Sequence, residues 1–456
     1  MRKCVVRIAR SDFDGLMRHL FPGDGDEHGA VLLAGYVNNG EHSALCVREI
    51  HPAREGIDYV KGNVGYRALA PTFIHRMITR ARDERLIYLA AHNHDSDTSV
   101  GFSRIDLESH DRGYPALLQI ARGMPVGALV HGHRSMEADI WFPDGTRGRL
   151  DHAAVIGSGV LRVSPQPDSE EPHSSESYDR QVRWFGRSGQ RQLARSHVGI
   201  IGLGGIGSLV AEYLAHLGIG RFTLVDPDRV ETSNLSRIVG ASRDDAAGEV
   251  AKVKIAARCI RNANPDAHIE SRIDDVAKES VARSLIGCDY LFLAADSMRA
   301  RLVFNAIIHQ YLIPGVQLGS KIHSGANGRL SDVMSANRPV RPGEGCLWCN
   351  QLIDPTLLAK EAKTDDERRA QEYGTEQPNP SVITLNAVAA AHAVNDFLLD
   401  YLGLRPERAP LHYEHFHFLK NSRMLVEPRK DANCPECSRN GRFGRGDGVP
   451  LPSIDG

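Results

Sequence analysis

Gly202-Leu203-Gly204-Gly205-Ile206-Gly207 lies between an apolar strand pattern, 197–201, and an amphipathic helix pattern, 208–217; a second apolar run, 222–225, then ends at Asp226. That succession is a nucleotide-binding βαβ unit. The glycines let the backbone approach a phosphate, the helix start presents unpaired N–H groups, and the acid after the second strand suits a ribose hydroxyl. The segment therefore predicts an α/β fold on a mostly parallel sheet, with Gly202, Gly204, Gly205, Gly207 and Asp226 against a nucleotide. A glycine fingerprint alone points to a dinucleotide-dependent oxidoreductase, so the residues after it decide the reading.

They point elsewhere. The run from Asp226 to Arg237 holds Asp228, Asn234 and Arg237. A dehydrogenase has no need of an Asn and an Arg three apart just beyond the ribose acid, whereas an amide and a guanidinium together clamp transferring phosphates. Lys252 and Lys254 open a helix pattern that ends near Asn264-Pro265, and counting back from that end favours Lys252. Asp296 closes the apolar strand 290–295, where an open α/β sheet presents catalytic groups and where a carboxylate can hold the Mg2+ of a nucleoside triphosphate. Asp296 also heads Ser297-Met298-Arg299-Ala300, so a helix N-cap is its plainer reading. ATP with Mg2+ is the expected ligand.

These residues resemble the ThiF-type family of ATP-dependent adenylyltransferases, which includes ubiquitin-activating enzymes and activators of sulfur-carrier proteins. The match rests on Gly202–Gly207, Asp226, Asp228, Asn234, Arg237, Lys252 and Asp296, with Arg301 and Asn305 on the helix that follows. Tyr178-Asp179-Arg180-Gln181 resembles the family's entry motif, whose arginine reaches the γ-phosphate of ATP bound by a partner subunit; the resemblance thus implies a homodimer. One departure is visible, since Lys252 stands four residues after Gly248 where the family has three. The implied fold is Rossmann-like. The implied reaction is attack of the C-terminal carboxylate of a ubiquitin-like or sulfur-carrier protein on the α-phosphate of ATP, giving an acyl-adenylate and pyrophosphate, with Arg180, Arg237, Lys252 and Asp296 as catalytic groups.

Of the eight cysteines, four form two C-x-x-C pairs, Cys346 with Cys349 and Cys434 with Cys437. Four thiolates so spaced predict a tetrahedral structural zinc site. Cys259 and Cys288 lie on helix and strand patterns and read as packing residues. Members of the family that pass the acyl group to a thioester carry a cysteine after the first zinc pair. Residues 350–386 hold none, so no catalytic cysteine is assigned.

Ahead of the nucleotide fold lie strand patterns at 30–36, 44–50, 86–91 and 126–131. The third runs into His92-Asn93-His94, whose histidines share one face of an extended segment and can grip one metal ion. Ser103 and Asp106 share a face of a helix start, which makes Asp106 a candidate third ligand and sets Ser103 beside the open position. Zinc with three protein ligands is a hydrolase site and wants a carboxylate to take a proton from water. Glu27, just ahead of the first strand pattern, is the candidate. With this set the segment resembles the JAMM/MPN (JAB-type) zinc metalloproteases, which cleave peptide or isopeptide bonds at the C-termini of ubiquitin-like proteins. The resemblance implies Glu27 as general base, His92, His94 and Asp106 as metal ligands, and Ser103 as the oxyanion partner. It departs at Asp95, where the family has proline, and the gap from His94 to Ser103 is one residue longer than usual. Asp95 is a possible competitor for the metal, and His131-Gly132-His133 reads as a strand-end pair.

A chain of 456 residues fits two domains. The expected organisation is a JAMM/MPN-like α/β domain over 1–162, a flexible linker over 163–177, an adenylyltransferase domain with a Cys4 zinc site over 178–437, and a disordered tail over 438–456. A net charge of −2 offers no basic field for nucleic acid. Neither a secretory signal nor an apolar run near membrane-spanning length is visible, and metal-type cysteine spacing favours a cytoplasmic setting. The helix pattern 381–402 reads as core. The two halves together predict a bifunctional enzyme that processes a ubiquitin-like protein and activates its carboxylate. Two other readings exist, an NAD-dependent oxidoreductase fused to a metal-binding module and a non-catalytic adaptor for ubiquitin-like proteins. The first leaves Asn234, Arg237, Lys252 and the paired cysteines without a purpose.

Overall fold

The computed structural model describes residues 1–39, 42–60, 68–166, 176–324, 329–362, 380–406 and 410–454. Most of the expected linker, 167–175, lies outside the described residues. The chain divides into two units. The first comprises Met1–Glu171, Gln310–Leu312 and Arg439–Pro450, and the second Pro172–His309, Ile313–Ser438 and Leu451–Gly456.

The first unit runs β1 (Arg2–Ala9), α1 (Arg10–Leu20), β2 (Gly29–Asn39), β3 (His42–Pro52), α2 (Pro71–Asp83), β4 (Ile87–Asn93), α3 (Arg104–Ala121), β5 (Val126–His131), β6 (Met136–Trp141), β7 (Arg147–Ile156) and β8 (Val160–Val163). Its sheet has the order β1-β3-β2-β4-β5-β6-β7-β8, and a further β1–β7 pairing closes it into a mixed barrel. Every residue of β5 is buried, as its unbroken apolar run demands. One apolar cluster gathers around Val6, Leu32, Leu89, Leu129 and Ile140, and a second, with α2 and α3, around Phe73, Ile78, Tyr88 and Tyr114. Pro71 opens α2 at a position where its missing N–H costs nothing. A reciprocal capping box of Ser103 and Asp106 starts α3.

The tail differs from the disorder expected over 438–456. Arg439–Pro450 belongs to the first unit, where the buried Arg48 guanidinium donates to the carbonyls of Arg439, Gly441 and Phe443. The Gln310 side-chain amide bonds the carbonyls of Gly446 and Val449, each at 2.8 Å. A side chain at Gly35 would overlap the backbone of Arg445, so the absent Cβ admits this contact. The tail is held by carbonyls rather than by an apolar stripe, so no periodicity advertises it.

The second unit runs α4 (Asp179–Arg195, broken at Gly186), β9 (His197–Ile201), α5 (Gly205–His216), β10 (Arg221–Val225), α6 (Arg243–Ala247), α7 (Lys252–Ala263), β11 (His268–Arg272), α8 (Glu279–Ser284), β12 (Tyr290–Leu293), α9 (Met298–Tyr311), β13 (Gly315–Ser324), β14 (Leu330–Val340), α10 (Pro355–Glu361), α11 (Ile383–Tyr401), β15 (Tyr413–His417) and β16 (Ser422–Val426). The sheet order is β11-β10-β9-β12-β13-β14-β15-β16. Strands β11 through β13 pair parallel, while β14, β15 and β16 add on antiparallel. The sheet is therefore mixed, less parallel than the sequence pattern predicts. The polar, proline-bearing β14 and the exposed β16 carry no unbroken apolar run to announce them. Helix α11 is a core helix whose Phe397 ring packs 4.9 Å from Tyr290 and 5.6 Å from Phe292. Among the described residues no helix is long and apolar enough to cross a membrane.

Candidate functional site

In the second unit the sheet order reverses between β9 and β12, since β10 and β11 lie to one side of β9 and β12 and β13 to the other. Open α/β sheets bind ligands in the crevice beyond the C-terminal ends of the strands at such a point. The glycine loop leaves β9 there, Asp226 follows β10, and Asp296 follows β12. Gly202 has φ +88°, and a Cβ on it would stand 2.6 Å from the Ala295 nitrogen, so the loop presses on the segment that carries Asp296. A Cβ on Gly207 would overlap the Gly202 carbonyl. Gly204 is different, with open space around its α-carbon at the N-cap of α5, where the first helical amides are free of any side-chain cap.

The remaining predicted groups gather on the loop after β10. Asp226 is buried and accepts the backbone N–H groups of Leu203 and, at 2.8 Å, Asp228. Burial pushes its carboxyl above the ordinary range, with Lys252 and those amides opposing. The ammonium of Lys252 lies 2.6 Å from Asp228, because the backbone of Asp228 pairs with Lys252 and so brings α7 alongside. Lys254 is exposed, and Glu249, in the segment where the family spacing is exceeded, takes φ +47°. Arg237 donates to the Ser233 carbonyl at 2.8 Å and its side chain flanks Gly205. Asn234 is buried, and its Oδ1 takes the Glu231 N–H in a local turn. Arg180 is exposed on α4. Asp296 is exposed and does not cap α9. The Ser297 hydroxyl accepts the Ala300 N–H, and the Glu361 carboxylate accepts the N–H groups of Met298 and Arg299. Sequence reasoning missed Asn386, whose side chain abuts Gly205 and bonds Ser320 and Ser381. A polar residue in an apolar helix was its one signal.

Arg301 and Asn305 lie on α9, where the Arg301 guanidinium feels the Asp296 carboxylate and both side chains also bond the segment that begins with the first cysteine pair. Arg301 donates to the Leu352 carbonyl at 2.8 Å, and Asn305 accepts the Leu347 N–H while reaching Glu436. Of the two, Asn305 braces the cysteine-bearing segments. Cys346, Cys349, Cys434 and Cys437 are buried, unbridged, and close enough to share an ion. Their Sγ atoms stand 3.7 Å (Cys346 to Cys434) and 3.6 Å (Cys349 to Cys437) apart. Thiolates each about 2.3 Å from a tetrahedral zinc would lie roughly 3.8 Å apart. Backbone N–H groups of Cys349 and Glu436 point at two of the sulfurs, as thiolate ligands require. The four residues fit zinc. A third group, His392, Asp396 and Glu414, also converges, but its carboxylates are taken by Arg405, Asn337 and Arg423.

In the first unit His92, His94 and Asp106 come together from the end of β4 and the start of α3. The two Nε2 atoms are 3.2 Å apart, and they stand 3.6 Å (His92) and 3.5 Å (His94) from Asp106 Oδ2. Nitrogen and oxygen ligands about 2.0–2.1 Å from a tetrahedral zinc would be roughly 3.3 Å apart, so this spacing fits the ion. His94 Nδ1 faces the Gly101 carbonyl at 3.1 Å, which turns the other ring nitrogen toward the cluster. Burial opposes ionisation of Asp106, yet hydrogen bonds from His92, His94 and Ser103 hold its carboxyl well below the usual range. The bond to Asp106 in turn raises His94. Glu27 Oε1 lies 3.8 Å from His94 Nε2. Ser103 donates to Asp106 Oδ2 at 2.7 Å and accepts the Asp106 N–H, so it caps α3 as well as standing by the cluster. Asp95 turns away from the ligands and pairs with His133 at 3.0 Å. His131 is buried, and burial drops its pKa to about 3, which suits a strand-end residue.

Comparison with known proteins bears on the second unit. A family model described as the ThiF family matches residues 178–436. The tRNA threonylcarbamoyladenosine dehydratase of Escherichia coli is 34% identical over 150 residues, 33% of this chain and 53% of that protein. The SAMP-activating enzyme E1 of Haloferax volcanii is 36% identical over 129 residues, 28% of this chain and 47% of that protein. The chain thus spans about half the length of these curated relatives. Among solved structures, E. coli MccB with MccA-N7isoASN aligns with a TM-score of 0.48 and 18% identity over 58% of this chain and 75% of that one.

Proposed function

The chain belongs to the ThiF family, and from that premise we propose that its second unit adenylates the C-terminal carboxylate of a ubiquitin-like or sulfur-carrier protein at the expense of ATP. The observation that carries the reading is the glycine loop and Asp296 flanking the reversal point of the sheet. A carboxylate is a poor nucleophile toward a polyanion, so the site must neutralise charge and fix the line of attack. The free amides at the start of α5 bind phosphate oxygens past Gly204, Asp226 holds the ribose and ties down the loop, and Asn234 shapes the turn that presents Arg237. Arg237 and Lys252 offset the charge that builds on the α-phosphate and pyrophosphate, Lys252 leaving Asp228 to do so. Mg2+ on Asp296 supplies further charge neutralisation. Arg180, exposed on α4, reaches the γ-phosphate of a second copy, which makes the enzyme a homodimer. The cysteine cluster holds a structural zinc.

The first unit is proposed as a zinc-dependent peptidase or isopeptidase acting on the same carrier tail. Support comes from the ligand spacing of His92, His94 and Asp106, which matches a tetrahedral zinc before any ion is added. When bound, zinc there supplies Lewis-acid activation of the attacking water. Glu27 takes the water's proton and returns it to the leaving amine. Ser103 orients Asp106 in the resting site, and its hydroxyl turns from that carboxylate to donate to the developing oxyanion. The test is labelled pyrophosphate exchange into ATP by the whole chain with Mg2+ and candidate carriers. Carrier-dependent exchange supports the reading, and its absence with every sulfur-carrier and ubiquitin-like protein of the source cell would refute it.

A further inference from the structure

The residue between the two candidate metal-binding histidines is not itself a ligand. Asn93 is buried, 6% exposed, and closes β4. Its Oδ1 accepts the His28 backbone N–H at 2.6 Å, and its Nδ2 donates to the Asp26 carbonyl at 3.4 Å. Those two groups belong to the neighbours of Glu27 on either side.

The sheet register explains the arrangement. In the antiparallel β2–β4 pair Gly29 stands opposite His92. Carried past the end of β2, that register sets His28 opposite Asn93 and Glu27 opposite His94. Side chains alternate faces along a strand, so Glu27 shares the face of the ligands while Asn93 occupies the other. The 3.8 Å approach of Glu27 to His94 agrees with that placement. The Asn93 amide thus takes over from the backbone ladder where β2 begins. Nearby groups fix the far side of the same loop. The Tyr59 hydroxyl accepts the Gly29 N–H at 2.8 Å, the His19 ring meets the Gly29 carbonyl at 2.9 Å, and Asp24 pairs with the His28 ring at 3.0 Å.

We propose that Asn93 is a positioning residue that clamps the backbone on both sides of Glu27 and so aims the carboxylate over the face formed by His92, His94 and Asp106. The inference rests on the zinc-hydrolase reading given above. It makes peptide cleavage depend on an amide that touches neither metal nor substrate. A general base must stand within hydrogen-bond reach of the proton it takes, and a displacement near 1 Å can cost about 100-fold in rate.

The full chain with Asn93→Ala or Asn93→Asp tests this in two ways. The first needs neither zinc nor substrate. Asn93→Ala should speed amide hydrogen exchange at His28 about tenfold while leaving Leu32 and Leu89 unchanged. Asn93→Asp keeps an acceptor for that N–H and should retain the protection, and it serves if the alanine variant fails to fold. Unchanged exchange at His28 in Asn93→Ala, or lost protection there in Asn93→Asp, overturns the clamp. The second is cleavage of a ubiquitin-like precursor bearing a C-terminal peptide extension. Asn93→Ala should lower kcat about 100-fold with KM and zinc content unchanged, and Glu27→Ala/Asn93→Ala should be no slower than Glu27→Ala alone. A further multiplicative loss in the double variant, or loss of zinc, overturns the positioning role. Should the wild-type chain cleave nothing, the hydrolase reading falls, and the exchange rates still decide whether the clamp exists.

Discussion

Three side chains in the first unit already stand 3.2 to 3.6 Å apart around a place for an ion, whereas in the second unit the charged groups are engaged with their own loops. Lys252 pairs with Asp228, Arg237 caps a carbonyl, and Asp226 holds backbone amides. The difference follows from what carries the residues. His92, His94 and Asp106 sit on the end of a strand and the capped start of a helix, which keep their geometry without a ligand. Asn234 and Arg237 sit on a connection, and a connection satisfies its polar groups internally until a polyanion competes for them. One candidate site is thus assembled from rigid elements and the other from groups bonded within a connection.

The largest effects should separate the two chemistries. Glu27→Ala should reduce peptide cleavage by about 1,000-fold or more and leave pyrophosphate exchange intact, and Asp296→Asn should do the reverse. A variant that lowers both activities together would erase the distinction. Next comes a contrast inside the glycine loop. Gly207→Ala drives a Cβ into the Gly202 carbonyl and should cost about 3 kcal/mol, seen as a lower melting temperature. Gly204→Ala meets open space, so it should melt like the wild type and lose ATP affinity. If both variants kept full affinity, phosphate would not approach this loop. Metal removal should act on the second unit as on a folded zinc knuckle. Cys434→Ser should cost one of the two zincs and full chelation both, and either should lower the melting temperature of that unit, checked by metal analysis and calorimetry. The smallest effect is expected at the rim of the first site. Asp95→Asn removes only an exposed pair with His133 and should change stability by less than about 1 kcal/mol, with zinc affinity within about twofold of wild type. A marked loss of affinity would mean that Asp95 does reach the metal.

How much of this was legible in the sequence depended on whether a residue belongs to a spaced pattern. Strands β9, β10 and β12 and helix α7 announce themselves by unbroken apolar runs or by helical period, and they fix the parallel half of the sheet. β14 breaks its run with Ser331, Asp332 and Pro339, and β16 is exposed over all but its last residue, so the antiparallel half was silent. The C-terminal segment is held by Arg48 and Gln310 through its carbonyls, and a contact to backbone leaves no trace in side-chain composition. At the candidate sites the ligand types and spacings were readable. Asn93 and Asn386 were not, because a single buried amide acting on backbone or on a neighbouring glycine has no spacing partner to betray it. Asp296 shows the opposite case. Its N-cap reading was reasonable, and Ser297 with Glu361 fill that role instead, leaving the carboxylate exposed.

Equilibrium binding of ATP and of NAD to the whole chain, each with and without Mg2+, reports directly on which nucleotide occupies the crevice between β9 and β12. ATP should bind, Mg2+ should strengthen that binding, and Asp296→Asn should remove the Mg2+ effect while NAD shows no saturable binding. Saturable NAD binding that ATP fails to displace would contradict the ATP reading.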